Sequence, residues 1–200
     1  MTDPWVFLDL DGTLTDAAPG ITRSIHHALT EMSLPSPGEA ALAAYIGPAL
    51  QETFPLLGVE DVDRAIALYR ERYTTVGLYE NAVYDGAPEM MEALNGMGCR
   101  LALATAKPIA YAATITAHFG LAPLMEAEFG SELDGRRTDK RDLLAHCLAE
   151  TGADPARSFM LGDRMHDARG AIANGITPIG ALWGFGSRNE LTDAGFAALG

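Results

Sequence analysis

The chain opens with a short apolar run, Val6-Phe-Leu-Asp-Leu10, that stops at Asp11-Gly12. A run of this length ending at a turn signal predicts a buried strand. From Asp16 to about Val83 the texture changes. Ile21, Ile25, Ala28, Leu29 and Met32 recur at helical spacing until Leu34-Pro-Ser-Pro-Gly38 breaks the pattern. Shorter helical stretches are predicted over residues 39–45 and 49–57, divided by Gly47-Pro48, and a longer one over 62–76 with Ile66, Tyr69 and Tyr73 on one stripe. This block reads as all helix.

After Tyr84 the pattern alternates. Helix is predicted over 87–97, 108–119, 139–151 and 165–174. Strand is predicted over 100–105, 158–161 and 178–182, with a weaker strand signal at 127–129. Strand–helix alternation implies an α/β fold, a Rossmann-like parallel sheet with helices on both faces. In such sheets the carboxyl ends of the strands share one edge, where ligands bind. The organisation expected is therefore an α/β core of residues 1–15 and 84–200, with an inserted helical block of residues 16–83.

Composition narrows the function. The 200 residues are 48% hydrophobic and 20% charged, enough for a real core, with a formal net charge of -13. That excess of acid argues against nucleic-acid or membrane-surface binding. No apolar run approaches a bilayer span, and Asp3, Asp9 and Asp11 spoil a signal-peptide reading of the start. Cys99 and Cys147 form no CxxC and read as reduced thiols, so a cytoplasmic location is expected.

The candidate chemistry sits at the predicted strand ends. Asp9 and Asp11, two apart in an extended segment, would address one pocket. Two adjacent carboxylates repel unless a cation lies between them, and Mg2+ suits carboxylates plus a substrate phosphate. A solvated acidic turn is the bland alternative. Thr105 offers a hydroxyl and an N–H at the mouth of a helix, as an anion site or a plain N-cap. Gly162-Asp163 ends another strand, and helical spacing puts Asp163 and Asp167 on one face. The only lysines are Lys107 and Lys140, which suits them to phosphoryl or carboxylate oxygens. The five histidines show no metal-ligand spacing.

Taken in order, Asp9-x-Asp11-Gly12-Thr13, Thr105, Lys140 and Gly162-Asp163-x-x-x-Asp167 resemble the haloacid dehalogenase-like hydrolase superfamily. The likeness spans the chain, because the helical block falls where members with a small helical cap carry it. Asp9-Leu-Asp-Gly-Thr-Leu-Thr-Asp16, Ile46-Gly47-Pro48 and Gly162-Asp-Arg-Met-His-Asp167 are most similar to the phosphoglycolate phosphatase-like group, as is the stretch Asn174 to Ser187. Ala106 stands where that group often has Asn or Ser, and Arg23 where the cap often carries a neutral polar residue.

The resemblance implies an Mg2+-dependent phosphatase acting on a small phosphate monoester. Asp9 would be the nucleophile and Asp11 the general acid and base. The metal would be held by Asp9, the Asp11 carbonyl and Asp163. Thr105 and Lys140 would hold the transferring oxygens, and Asp167 would orient Lys140 or a metal-bound water. Substrate contacts are expected from Gly12, Thr13, Ala106 and Lys107 on the core and from Arg23 and Gly47 on the cap. Arg23 would meet a substrate anion or lie on the surface. Trp183 and Phe185 would stack on a nucleobase or pack in a loop.

A haloacid dehalogenase has no use for Asp11, and a receiver domain carries its acceptor on a middle strand without a helical insertion. A 5'-nucleotidase, a phosphosugar mutase of the β-phosphoglucomutase kind and a catalytically inactive phosphoester sensor would share the core residues. The partner expected is a small-molecule phosphate ester, with no nucleic acid and no membrane, and the chain a monomer or homodimer.

Overall fold

Trp5–Leu8 form β1, four consecutive buried residues, as a strand covered on both faces requires. The structure, a computed structural model, describes residues 3–47 and 49–200. After β1 come β2 (Thr15–Asp16), α1 (Ala18–Glu31), α2 (Glu39–Leu42), α3 (Leu50–Leu56), α4 (Val62–Arg72) and β3 (Ala82–Val83). They are followed by α5 (Ala87–Gly96), β4 (Arg100–Pro108), α6 (Ile109–His118), β5 (Ala127–Ser131) and α7 (Lys140–Thr151). Then come β6 (Ser158–Gly162), α8 (Met165–Ala173), β7 (Thr177–Gly180), α9 (Arg188–Ala194) and β8 (Ala198–Leu199). The chain divides into two compact units, Met1–Asp16 with Val83–Gly200, and Ala17–Ala82.

The larger unit is built on a six-stranded sheet in the order β5-β4-β1-β6-β7-β8. β1 pairs in parallel with β4, from Trp5 opposite Arg100 to Leu8 opposite Leu103, and with β6, from Trp5 opposite Ser158 to Leu8 opposite Leu161. Alternate residues face alternate sides. Trp5, Phe7, Ala102, Ala104 and Met160 pack with Leu143, Leu144 and Cys147 of α7 and Ala171 of α8. Val6, Leu8, Leu101 and Leu103 are buried on the opposite side. Each fully buried side chain of this size contributes about 1.5–3 kcal/mol of transfer free energy. The chain departs from β1 to β4 on one flank and to β6 on the other. That reversal makes the end of β1 the topological switch point, where open α/β sheets bind ligands.

The smaller unit is helical. α1 packs on α4 and on a π-helical turn, Tyr73–Gly77. The approach is close because both facing residues are glycine: a Cβ on Gly20 would lie 2.1 Å from the Gly77 carbonyl oxygen.

Several elements differ from expectation. β1 ends at Leu8, so Asp9 and Asp11 lie in the turn beyond it rather than in one extended run. β4 runs on to Pro108, with a break in register after Thr105, and α6 begins only at Ile109. Pro108 holds the residue before it extended, which delays the helix. Thr105 is therefore not an N-cap. The predicted helix over 62–76 changes to π geometry after Arg72. The weak signal at 127–129 is a full strand, and the strand expected at 178–182 is Thr177–Gly180. It is not the last: α9 and β8 follow. Pro48 lies outside the described residues.

Candidate active site

Two strand ends and the first turn of a helix meet at the carboxyl edge. Asp9 follows β1, Asp163 follows β6, and Asp167 sits in the first turn of α8. Carboxylate oxygens of the three lie within 4.8 Å of one another, although 154 residues separate Asp9 from Asp163 in sequence. All three residues are buried. Their one ammonium partner is Lys140, at the start of α7, with Nζ 2.9 Å from Asp9 Oδ1 and 2.6 Å from Asp167 Oδ1. The same Nζ donates to the Ala104 carbonyl at 2.8 Å. Burial works against charge on Lys140, but Asp167 and Asp9 outweigh it and raise its pKa. It stays an ammonium throughout the physiological range.

One ammonium does not balance three carboxylates. Asp163 shows the excess: burial first, then Asp9 and Asp167, push its carboxyl up to about 8. Its oxygens accept from the Phe185 N–H at 2.7 Å and from the Thr13 hydroxyl at 3.4 Å. Asp167 is raised too, by burial, against the pull of Lys140, and accepts from the Arg164 N–H at 3.1 Å. Among the described residues no donor is aligned for a hydrogen bond on the buried Asp9 Oδ1, although the ammonium is close. A cluster of hard oxygen ligands with surplus negative charge fits a divalent cation such as Mg2+ or Ca2+.

Asp11 stands close enough to Asp9 for the two carboxylates to feel each other. The turn aims its carboxylate at Lys107, whose Nζ donates to Oδ1 at 2.7 Å and Oδ2 at 2.6 Å. Its pKa is raised by burial, which Lys107 offsets only in part, with Asp9 adding to the rise. Lys107, expected against a phosphate, holds Asp11 here. Thr105 is buried, and its hydroxyl accepts from the Lys107 N–H at 3.2 Å. Ala106 lies between them in β4. Gly12 has φ +82, and a Cβ there would fall 2.2 Å from Asp163 Oδ2. Only glycine accepts that turn at that distance.

Arg23 and Gly47 belong to the helical unit. The Arg23 guanidinium, expected on a substrate anion or at the surface, is partly exposed and pairs with Glu39 at 3.2 Å and Glu80 at 3.1 Å. Gly47 is exposed, with φ 117.

Three contacts escaped the sequence reading. The Phe185 N–H on Asp163 is a main-chain group. Glu190 accepts from the Met165 N–H at 3.0 Å and Arg164 Nε at 2.9 Å, fixing the turn between Asp163 and Asp167. The Trp183 indole N–H donates to the Thr13 carbonyl at 3.0 Å. The available signal was the glycine spacing: a Cβ on Gly184 would lie 2.2 Å from Gly12 O, and one on Gly186 1.9 Å from Asp163 O.

Comparison with known proteins gives the class of this fold, a hydrolase of the phosphatase kind. The haloacid dehalogenase-like hydrolase family matches residues 6–181, and the chain belongs to that family. It is 46% identical over 191 residues to a 5'-nucleotidase of Pseudomonas aeruginosa, covering 94% of this chain and 86% of that protein. It is 43% identical over 183 residues to the tyrosine-protein kinase PtkA of Mycobacterium tuberculosis, covering 90% of this chain but 62% of that one. A predicted phosphatase from Clostridium acetobutylicum superposes with a TM-score of 0.93 at 34% identity, over 100% of this chain and 94% of that one. Phosphoglycolate phosphatases, including that of Rhodospirillum rubrum at 30% identity over 207 residues, covering 97% of this chain and 85% of that one, place it in their group. The chain is an enzyme of the phosphatase kind. No helix among the described residues is long and apolar enough to cross a membrane.

Proposed function

We propose that the chain is an Mg2+-dependent phosphatase that hydrolyses a small phosphate monoester through an aspartyl-phosphate on Asp9. The observation that carries the reading is the charge count at the sheet edge. Among the described residues, Asp9, Asp11 and Asp167 form their ion pairs with Lys107 and Lys140 alone and Asp163 forms none, so four carboxylates share two paired ammoniums. A divalent cation removes that deficit.

The carboxylates of Asp9 and Asp163 and the Asp11 main-chain carbonyl would hold the ion. Asp167 is already engaged by Lys140 and the Arg164 N–H, which suits it to orienting Lys140. When bound, Mg2+ would screen the substrate phosphate from the nucleophile and offset charge in the transition state.

The remaining steps belong to the chain. An Asp9 oxygen attacks phosphorus in line as the ester P–O bond breaks. Asp11 gives its proton to the leaving alkoxide. It then takes one from the water that attacks the phosphoryl group, freeing Asp9 and inorganic phosphate. Burial holds Asp11 above the usual carboxylate range, which favours the acid role. Lys140 and Thr105 hold the transferring oxygens.

Two substrate classes compete. Phosphoglycolate follows from the group; nucleoside 5'-monophosphates are favoured by the 46% identity to the Pseudomonas nucleotidase. A panel of phosphate esters, assayed for phosphate release in Mg2+ and in excess chelator, tests the whole reading. Release in Mg2+ that stops in chelator is expected. Full activity in chelator overturns the metal, and no release from any ester overturns the phosphatase.

A further inference from the structure

Trp183, just past β7, is 43% exposed, more than any Phe or Tyr of the described larger unit. It is not loosely held. Its indole N–H donates to the Thr13 carbonyl, on the loop that carries Asp9 and Asp11. The next residue, Gly184, lies close enough for a Cβ to come 2.2 Å from Gly12 O and 2.4 Å from Asp163 Cβ. One residue further, the Phe185 N–H grips Asp163. The polar edge of the ring is therefore satisfied inside the site while much of its apolar surface remains in water. Leaving indole surface exposed forgoes burial energy, and here the exposed ring is anchored by its own N–H to the turn that carries the acidic residues.

We propose that Trp183 is the platform on which the base of a nucleoside monophosphate stacks while its phosphate lies at Asp9. The proposal rests on the phosphatase reading and narrows its substrate. A nucleotide places its base a ribose away from phosphorus. The ring that receives it must be tied rigidly to the turn that carries the reacting carboxylates, and the contacts of residues 183–185 with Thr13, Gly12 and Asp163 tie it there. Phosphoglycolate is too short to use such a ring. Stacking reads the π-face that every base shares, so purine and pyrimidine nucleotides are both accepted.

The test compares AMP and UMP with ribose 5-phosphate, which has the same phosphate and sugar but no base. In Trp183→Leu the ratio of kcat/KM for AMP to that for ribose 5-phosphate falls about ten- to a hundredfold, the worth of one base–aromatic stack. Trp183→Phe, which keeps a ring, restores most of it. Binding is read separately in the Asp9→Asn background, where the only tryptophans are buried Trp5 and exposed Trp183. AMP quenches the exposed-tryptophan emission saturably, and ribose 5-phosphate does not. An unchanged ratio in Trp183→Leu, or equal fluorescence responses to the two ligands, overturns the platform. Hydrolysis of ribose 5-phosphate and phosphoglycolate, with nucleotides neither turned over nor quenching, removes the platform and leaves the phosphatase standing. If no ester is hydrolysed the phosphatase falls, and the fluorescence titration alone still decides the base site.

Discussion

Each unit of the molecule carries a cluster of opposite charges, and the two clusters are built differently. In the helical unit, Arg72 grips Glu80 through Nη1 at 2.7 Å and Nη2 at 3.0 Å, and Arg23 reaches Glu80 and Glu39. Arg72 also donates to the Ser24 hydroxyl at 3.2 Å. Two guanidiniums meet two carboxylates, and Arg72 first, then Arg23, holds Glu80 below the usual carboxylate range. At the sheet edge four carboxylates meet two ammoniums, and burial drives Asp11, Asp163 and Asp167 the other way. A balanced, half-exposed network asks for no further ligand. An unbalanced, buried one is a cost to folding, and it is the arrangement that a cation or phosphate site calls for.

The largest break in the comparison is Asp9→Asn. The carboxamide is nearly isosteric, so the fold persists while the nucleophile is lost. Phosphate release is expected to fall by about 10^4-fold or more. Activity near that of the unaltered chain would show that Asp9 is not the attacking group.

Next in size is Lys140→Met, which leaves Asp9 and Asp167 buried without their ammonium. Breaking a buried pair in this way costs about 3–5 kcal/mol, and activity is expected to be lost with it. Chemical denaturation should show a smaller deficit when Asp9→Asn is added, because one of the stranded charges is then gone. Additive losses in the double variant would mean that the two groups do not interact.

A smaller, graded effect comes from pH. Asp163 titrates near 8 in the metal-free fold against an ordinary value of 3.8. Between those values the folded chain binds more protons than the unfolded chain. This group's contribution to stability therefore falls as pH rises through that window and levels off above it. Asp11 and Asp167, also raised, act in the same direction. Mg2+ competes with these protons, so its increment to the thermal midpoint should be larger at pH 8.5 than at pH 6. An increment that is equal or reversed would argue that the ion binds elsewhere.

How much of this was legible depends on what each group is. Asp9, Asp11, Asp163, Asp167 and Lys140 are side chains in tight local motifs, and strand alternation was enough to bring their segments to one edge. The central strands β1, β4 and β6 are apolar on both faces and so carry a strong signal. β5 and β8 flank the sheet at its two ends. Such strands lack that signature, and β5 even carries Glu128, held by the Thr116 hydroxyl. The Phe185 N–H and the Thr13 carbonyl are main-chain groups with no residue type to betray them. Lys107 was visible as unusual, but a partner 96 residues away is set by the turn after β1, not by spacing.

The smallest effects belong to the helical network, and they sharpen the contrast. Glu80→Gln leaves Arg72 its neutral acceptor and its Ser24 contact, and these groups are partly solvated. The expected loss is about 1 kcal/mol, with activity preserved. Arg23→Met is expected to do less still, because the side chain is exposed and Glu80 keeps Arg72. The thermal midpoint should be unchanged within error, and so should KM for every ester in the panel. Arg23 is also the one cationic residue of this unit that the sequence suggested for a substrate anion. If Arg23→Met raised KM more than tenfold for a carboxylate-bearing ester and not for a neutral one, the guanidinium would have to leave Glu39 and Glu80 during turnover. The helical cluster would then be a substrate site held closed by internal carboxylates, and charge balance would no longer separate scaffold from chemistry in this fold.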